Sequence, residues 1–263
     1  MPTPIPLTLA GSDPTGGAGL EADLKTFLLF GYSGAAVATA LTTQDTSGVT
    51  AVAAEPAERF VERTRLILGD LPIAGLKVGL LPSVEIIEAI GEIMRGFDGP
   101  CVVDPVLAPT AGAPFLDEDG RMALIEHVLP HTTVLTPNIP EAELLLGLDD
   151  AAVVSDPHET ARRLLDLGPD SIVLKGGHAT SSDGGKVTDY LAVSGSVHEM
   201  EAPRLPGPPV HGTGCALSSA ILCTVLDGVR IADAVVKAKE WLHDQIATAT
   251  SEGRGARRLP FRR

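Results

Sequence analysis

Short apolar runs alternate with amphipathic stretches along almost the whole chain. Residues 7–10 form a short apolar run before a glycine-rich loop, and residues 21–30 read as a helix stopped by Gly31. Residues 35–42 suit a buried strand, 49–54 a further strand, and 58–68 a helix. Residues 73–78 predict a strand closed by Gly79, after which Val84, Ile87, Ile90 and Met94 recur at helical spacing. Residues 101–104 read as a strand ending on a carboxylate, 118–129 as a helix, 133–136 as a strand and 141–147 as a short helix. Asp156 caps the next helix, with Pro157 at its first position and Glu159 placed for a capping box. A strand over 171–175 runs into Gly176 and Gly177, and segments 187–193 and 197–202 flank Gly195 as a hairpin. Two long helices close the pattern. The first begins near Thr213, and the second carries Ile231, Val235, Ala238, Leu242 and Ile246 on one face.

Repeated strand–helix units with right-handed crossovers predict an α/β fold, a mostly parallel sheet covered on both sides. No repeat, low-complexity stretch or linker divides residues 1–263, so a single domain is expected. Composition sharpens this picture. Hydrophobic residues make up 44% but aromatics only 3%, so Val, Leu, Ile and Ala must build the core, as suits parallel strands. A formal charge of −14 argues against nucleic acid as a partner, although local cations and amides can still hold ATP. The three cysteines, Cys101, Cys215 and Cys223, form neither a disulfide framework nor a zinc spacing. The first residues lack a signal-peptide pattern and no apolar run is long enough for a membrane, so the cytoplasm is the expected location. The basic tail, with Arg254, Arg257, Arg258, Arg262 and Arg263, reads as a solvated, frayed end.

Ligands of such folds bind outside the carboxyl ends of the strands. That edge collects the loop 11–19, Gln44, Gly79, Asp104, Asn138, Lys175 and the 212–215 turn. His211-Gly212-Thr213-Gly214-Cys215 opens an apolar helix, and glycines there let backbone amides approach an anion at the helix start. The same field is expected to lower the pKa of Cys215, so that its thiolate can take a proton from a hydroxyl. Asn138 and Glu141 follow a strand end, and with Asp104 they suit a hydrated Mg²⁺ beside phosphates; Asn138 and Glu141 also suit a plain helix cap. Lys175 before two glycines suits phosphate oxygens, or solvent. Gln44 carries the donor and acceptor that an aminopyrimidine edge requires, and also suits an exposed strand end. The seven histidines show no ligand spacing, and His211 alone falls in a candidate site. A G-x-G-x-x-A match at Gly17–Ala22 does not follow its strand directly, so a dinucleotide site is rejected, and the lack of a Walker A sequence excludes a P-loop kinase.

Seven segments, in order, carry a resemblance: LTLAGSDPTGGAGLEADLKTF (7–27), ATALTTQDTSGV (38–49), GLKVGLL (75–81), VVDPV (102–106), LTPNIPEAELL (135–145), LKGGH (174–178) and HGTGCALSSAI (211–221). Together the chain resembles the bacterial hydroxymethylpyrimidine/phosphomethylpyrimidine kinases of thiamine synthesis. The resemblance implies a three-layer α/β/α ribokinase-like fold, a homodimer, and two successive ATP-dependent phosphorylations, of 4-amino-5-hydroxymethyl-2-methylpyrimidine and then of its monophosphate. It implies that Gln44 reads the pyrimidine, with Gly11, Asp23, Leu80 and Val106 around it. Cys215 becomes the catalytic base inside an anion hole of Gly212, Thr213 and Gly214. Asp104, Asn138 and Glu141 serve Mg²⁺ and phosphates, with Asp104 and Glu141 as metal residues, and Lys175 meets the ATP phosphates. The chain departs from the family pattern at 109–112, where a Lys-Ser-Gly-like stretch is common, at Pro208-Pro209-Val210, and at Leu80, where Met is frequent. A pyridoxal- or pyridoxine-type kinase and a non-catalytic pyrimidine-binding regulator are the competing readings.

Overall fold

A computed structural model describes residues 4–107, 115–148, 155–178 and 185–262, so the departure at 109–112 lies outside the described residues. The strands are β1 (Ile5–Ser12), β2 (Ala35–Asp45), β3 (Gly48–Ala54), β4 (Ile73–Val78), β5 (Cys101–Val103), β6 (Val134–Leu135), β7 (Ser171–Leu174), β8 (Lys186–Val193), β9 (Ser196–Pro203), β10 (Val210–His211) and β11 (Arg257–Arg258). The helices are α1 (Gly19–Leu29), α2 (Ala57–Asp70), α3 (Val84–Arg95), α4 (Glu118–Ala123), α5 (Ile139–Leu146), α6 (Pro157–Leu165), α7 (Thr213–Leu226) and α8 (Ile231–Ala247).

Nine strands form one sheet in the order β3-β2-β1-β4-β5-β6-β7-β8-β9. The strands β2, β1, β4, β5, β6 and β7 run parallel, β3 and β8 run opposite to them at the two ends, and β9 pairs antiparallel with β8. From β1 the chain moves first to β2 on one side and later to β4 on the other. The carboxyl ends of β1 and β4 therefore flank the topological switch point, where such sheets open a ligand crevice.

Period-two alternation sorts the strand residues onto two faces. Leu76, Val78, Cys101 and Val103 pack with Phe60 of α2, Ile86, Ile87 and Ile90 of α3, and residues of α4 to α6. Val102, Val134 and Val173 pack instead with Phe27 of α1, with α7 from Ala216 to Cys223, and with Val235, Ala238 and Leu242 of α8. Each fully buried large aliphatic side chain contributes about 1.5–3 kcal/mol, and the three-layer α/β/α arrangement follows from two apolar sheet faces needing cover.

Local signals explain most element ends. Asp156 accepts from the Glu159 amide at the start of α6, and Gly147 turns left-handed after α5. The β8–β9 turn is made by Ser194 and Gly195, both at positive φ, the combination a two-residue hairpin needs.

The predicted helix over 118–129 is α4 followed by a π turn (Leu124–Val128) and a 3-10 turn (Leu129–His131). That widened turn lies against Gly91 of α3, where a Cβ would come within 2.9 Å of the His127 carbonyl carbon. The basic tail is not frayed as far as Arg258. It pairs in parallel with β10, and Ala256 N–H donates to the Thr46 carbonyl at 2.8 Å. Backbone groups that a frayed end would leave to water are thus satisfied internally. Among the described residues no helix is long and apolar enough to cross a membrane.

Candidate active site

The loop after β1 is organised by one carboxylate. Asp13 accepts from the amides of Thr15 (2.8 Å), Gly17 (3.1 Å) and Ala18 (2.8 Å) and from the Thr15 hydroxyl (2.9 Å). Its Oδ2 also lies 2.9 Å from His211 Nε2, which ties this loop to the turn before α7. Burial alone would raise the Asp13 carboxyl, but the His211 and Thr15 side-chain bonds and the loop amides outweigh it and hold the pKa at about 2. An Asp leading into Pro-Thr-Gly-Gly is a turn signal visible in the chain itself.

The 212–215 turn meets that loop directly. Gly212 has φ +80° and N-caps α7 without any side-chain cap, and a Cβ on it would overlap the Gly17 carbonyl. Glycine is required there on both counts. The first amides of α7 therefore have neither an intrahelical acceptor nor a capping side chain. Gly214 stands at the neighbouring ion pair, for a Cβ on it would lie 2.9 Å from Asp104 Oδ2 and 3.1 Å from Lys175 Nζ.

Asp104 follows β5, and its Oδ1 accepts from Lys175 Nζ at 2.8 Å and from Thr136 Oγ1 at 3.1 Å. Burial would raise the Asp104 carboxyl, but Lys175 and then Lys77 outweigh it and hold the group below its ordinary value. Lys175 Nζ is also 3.8 Å from Glu141 Oε2. Asn138 and Glu141 form a full capping box at the start of α5, so the helix-cap reading holds while Glu141 still faces Lys175. Gly176 N–H donates to Asp189 Oδ1 at 2.8 Å, and Asp189 Oδ2 pairs with Lys239 at 2.9 Å, which secures the backbone beside Lys175.

Burial first, and the charge on Asp104 second among the raising causes, push Glu141 up to about 7, against Lys175 and the Asn138 amide. The folded protein therefore holds a proton on Glu141 that the unfolded chain gives up near 4.5. This contribution to stability is present below about pH 4.5 and is lost as pH rises through 7. Thermal melts between these limits are expected to show that loss in the wild type and not in Glu141→Gln. A parallel pH dependence in both proteins would reject this assignment.

The pocket residues divide. A Cβ on Gly11 would lie 2.8 Å from Leu80 Cδ2, so these two are in contact at the crevice. Half-buried Gln44 donates to Thr42 Oγ1 at 2.9 Å, and Thr42 donates to the Ser12 carbonyl at 2.8 Å, which links the end of β2 to the loop. Val106 is half-buried just beyond Asp104. Asp23, expected to face the pyrimidine, is fully enclosed instead. Its oxygens take the Thr8 hydroxyl at 2.6 Å, the Ser219 hydroxyl at 2.8 Å and Lys77 Nζ at 3.0 Å. Its ligands are thus three protein groups, set by the packing of α1 and α7 on the sheet.

Cys215 also departs from expectation. Cys215 is a buried residue, and burial pushes its thiol up to about 12 rather than down, with Lys77 and the Gly19 amide opposing and Asp23 and Asp104 adding to the rise. Desolvation outweighs the helix-start field in this arrangement. Lys77 is the cation that most opposes the rise of the Cys215 thiol. Its only sequence signal is a Lys inside the apolar run of β4.

The family model described as phosphomethylpyrimidine kinase matches residues 13–259. The hydroxymethylpyrimidine/phosphomethylpyrimidine kinase of Rhizobium meliloti is 40% identical over 260 residues, covering 96% of each chain. The Escherichia coli protein of the same name is 36% identical, covering 92% of this chain and 91% of that one. Pyridoxal kinase from Staphylococcus aureus, solved with AMP-PCP and pyridoxal, superposes with a TM-score of 0.88 at 28% identity, over 98% of this chain and 93% of that one. Phosphomethylpyrimidine kinase from Clostridium difficile superposes with a TM-score of 0.79 at 33% identity, over 93% and 100%. The ribokinase-like fold, the paired loops at the switch point and the match across nearly the whole chain agree, and the chain belongs to the phosphomethylpyrimidine kinase family.

Proposed function

We propose that this kinase transfers the γ-phosphoryl group of ATP to the hydroxymethyl oxygen of 4-amino-5-hydroxymethyl-2-methylpyrimidine, and then phosphorylates the monophosphate to the diphosphate. The observation that carries this reading is the convergence of the uncapped start of α7 on the Asp104–Lys175 pair, with Gly214 between them. Free helix-start amides and a lysine are the donors a transferred phosphoryl group needs. Relatives solved with AMP-PCP or ADP support ATP as the donor.

Asp104 and Glu141 both approach Lys175 Nζ, so two buried carboxylates share one cation. That donor set fits Mg²⁺, which prefers one or two carboxylates together with water and phosphate oxygens. Asp104 and Glu141 would hold it, and it would neutralise phosphate charge there.

In the first reaction the hydroxyl proton passes to the small fraction of Cys215 present as thiolate and the hydroxyl oxygen bonds to the γ-phosphorus. The bond from that phosphorus to the β–γ bridging oxygen breaks, and its electron pair leaves with ADP. In the second reaction the attacking phosphate oxygen is already anionic. Cys215→Ala is therefore expected to slow the first step more than the second. Because burial pushes the thiol far above neutral pH, the wild-type first step should accelerate as pH rises from 7 to 9, and the variant's should not. Equal losses in both steps would defeat the assignment of Cys215 as base.

Product mass after incubation with Mg-ATP and the pyrimidine tests the function. A diphosphate supports both activities, a monophosphate removes the second step, and binding without product supports a regulator. The second reading is a pyridoxal-type kinase, favoured by the 0.88 superposition on the Staphylococcus aureus enzyme. The higher identity to the pyrimidine kinases and the presence of Gln44 favour the pyrimidine, and competition with pyridoxine separates the two. The protein is further proposed to act as one domain, in a cytoplasmic homodimer, without nucleic-acid or membrane partners.

A further inference from the structure

Lys77 lies in β4 with Thr8 and Val102 as register partners, so its side chain joins theirs on the face covered by α1 and α7. It is fully buried, and its ammonium lies 3.0 Å from Asp23 Oδ2. Beyond that ion contact, the ammonium has no well-aligned hydrogen-bond acceptor among the described residues. The cation stands at the carboxyl end of β4, where a Cβ on Gly79 would come within 2.8 Å of Nζ. Asp23 also holds Ser219, which lies one turn after Cys215 along α7. The charge of Lys77 reaches Cys215 and Asp104 as well as Asp23.

A buried ion pair is a poor way to stabilise a core, because apolar side chains of similar volume do as well or better. An apolar pair cannot, however, hold a positive charge beneath the helix start where phosphoryl transfer gathers negative charge. We propose that Lys77 is a positioning residue of the transfer, a fixed cation that acts through Cys215 to favour removal of the acceptor hydroxyl proton, with Asp23 as its anchor. This inference rests on the kinase reading above.

The test is a double-mutant cycle. The charge-neutral variant Asp23→Asn/Lys77→Met is made with Cys215 intact and in the Cys215→Ala background, and both are assayed for the first phosphorylation. With Cys215 intact, kcat is expected to fall about 10-fold, because the opposing charge of Asp23 is removed together with that of Lys77, while KM for ATP and acceptor stays within roughly threefold. In the Cys215→Ala background the same change should lower kcat less than about threefold. Equal losses in the two backgrounds, or no loss in either, overturn the proposal, because a structural role is indifferent to the thiol. If the variant fails to fold by circular dichroism, Asp23→Asn/Lys77→Gln takes its place and the same outcomes decide. The assay uses whichever acceptor the wild type phosphorylates, pyrimidine or pyridoxine. Failure of the substrate reading then appears in the wild-type product, and failure of the Lys77 proposal in the coupling.

Discussion

Asp23→Ala is expected to lower the stability of the protein by about 3–5 kcal/mol, the usual consequence of leaving a buried charge without its partner. Lys77 would keep its place inside the sheet face with no counter-charge, and the hydroxyls of Thr8 and Ser219 would lose their acceptor. Burial opposes the charge on Lys77, and Asp23 is the main group that sustains it. For a chain of this size the melting temperature should drop by roughly 10 °C. Adding Lys77→Met to Asp23→Ala should restore most of the loss, since the stranded charge is then gone. Thermal unfolding of the two variants checks this. A single variant as stable as the wild type would show that the pair carries no such constraint.

Lys175→Met should reduce kcat for both phosphorylations by about 100- to 1,000-fold, with KM for the pyrimidine little changed. Lys175 is the cation between Asp104 and Glu141, and it borders the start of α7 through Gly214. Its removal leaves two carboxylates without a cation between them where phosphate charge has to be accepted. Burial opposes its charge, but Asp104 and Glu141 outweigh that and keep it protonated, so a charge is what the substitution removes. Steady-state kinetics with each substrate decide the matter. A raised KM with an unchanged kcat would place Lys175 in ground-state binding instead.

The strands were legible wherever burial on both faces left a continuous apolar run. Residues 73–78 coincide with β4, and the glycine at 195 marks the β8–β9 turn. Residues 133–136 shrink to Val134–Leu135, because ladder pairing with β5 and β7 sets a strand's extent more than its own composition does. The π turn at Leu124–Val128 follows no pattern in the residues themselves. The tail was misread because five arginines signal solvent, whereas its backbone is claimed by β10 and Thr46 far away in the chain.

The candidate site divides along the same line. Glycines that must take positive φ or allow close approach are visible in the chain, so the 211–215 turn, the loop after β1 and the 175–177 turn could be read directly. So could the fold class, because hydrophobic periodicity and turn residues are local properties. Electrostatics could not be read in this way. Whether Cys215 is raised or lowered depends on desolvation against nearby charge, and both terms come from neighbours brought in by α1, β4 and β5. Asp23 became an enclosed partner of Lys77, and Asp13 the clasp on His211, only once the sheet order placed β1 beside β4 and α7 against α1. Periodicity determined which residues are buried and where the chain turns. The tertiary structure alone decided which charges meet, because burial removes water and lets residues distant in sequence set one another's ionisation.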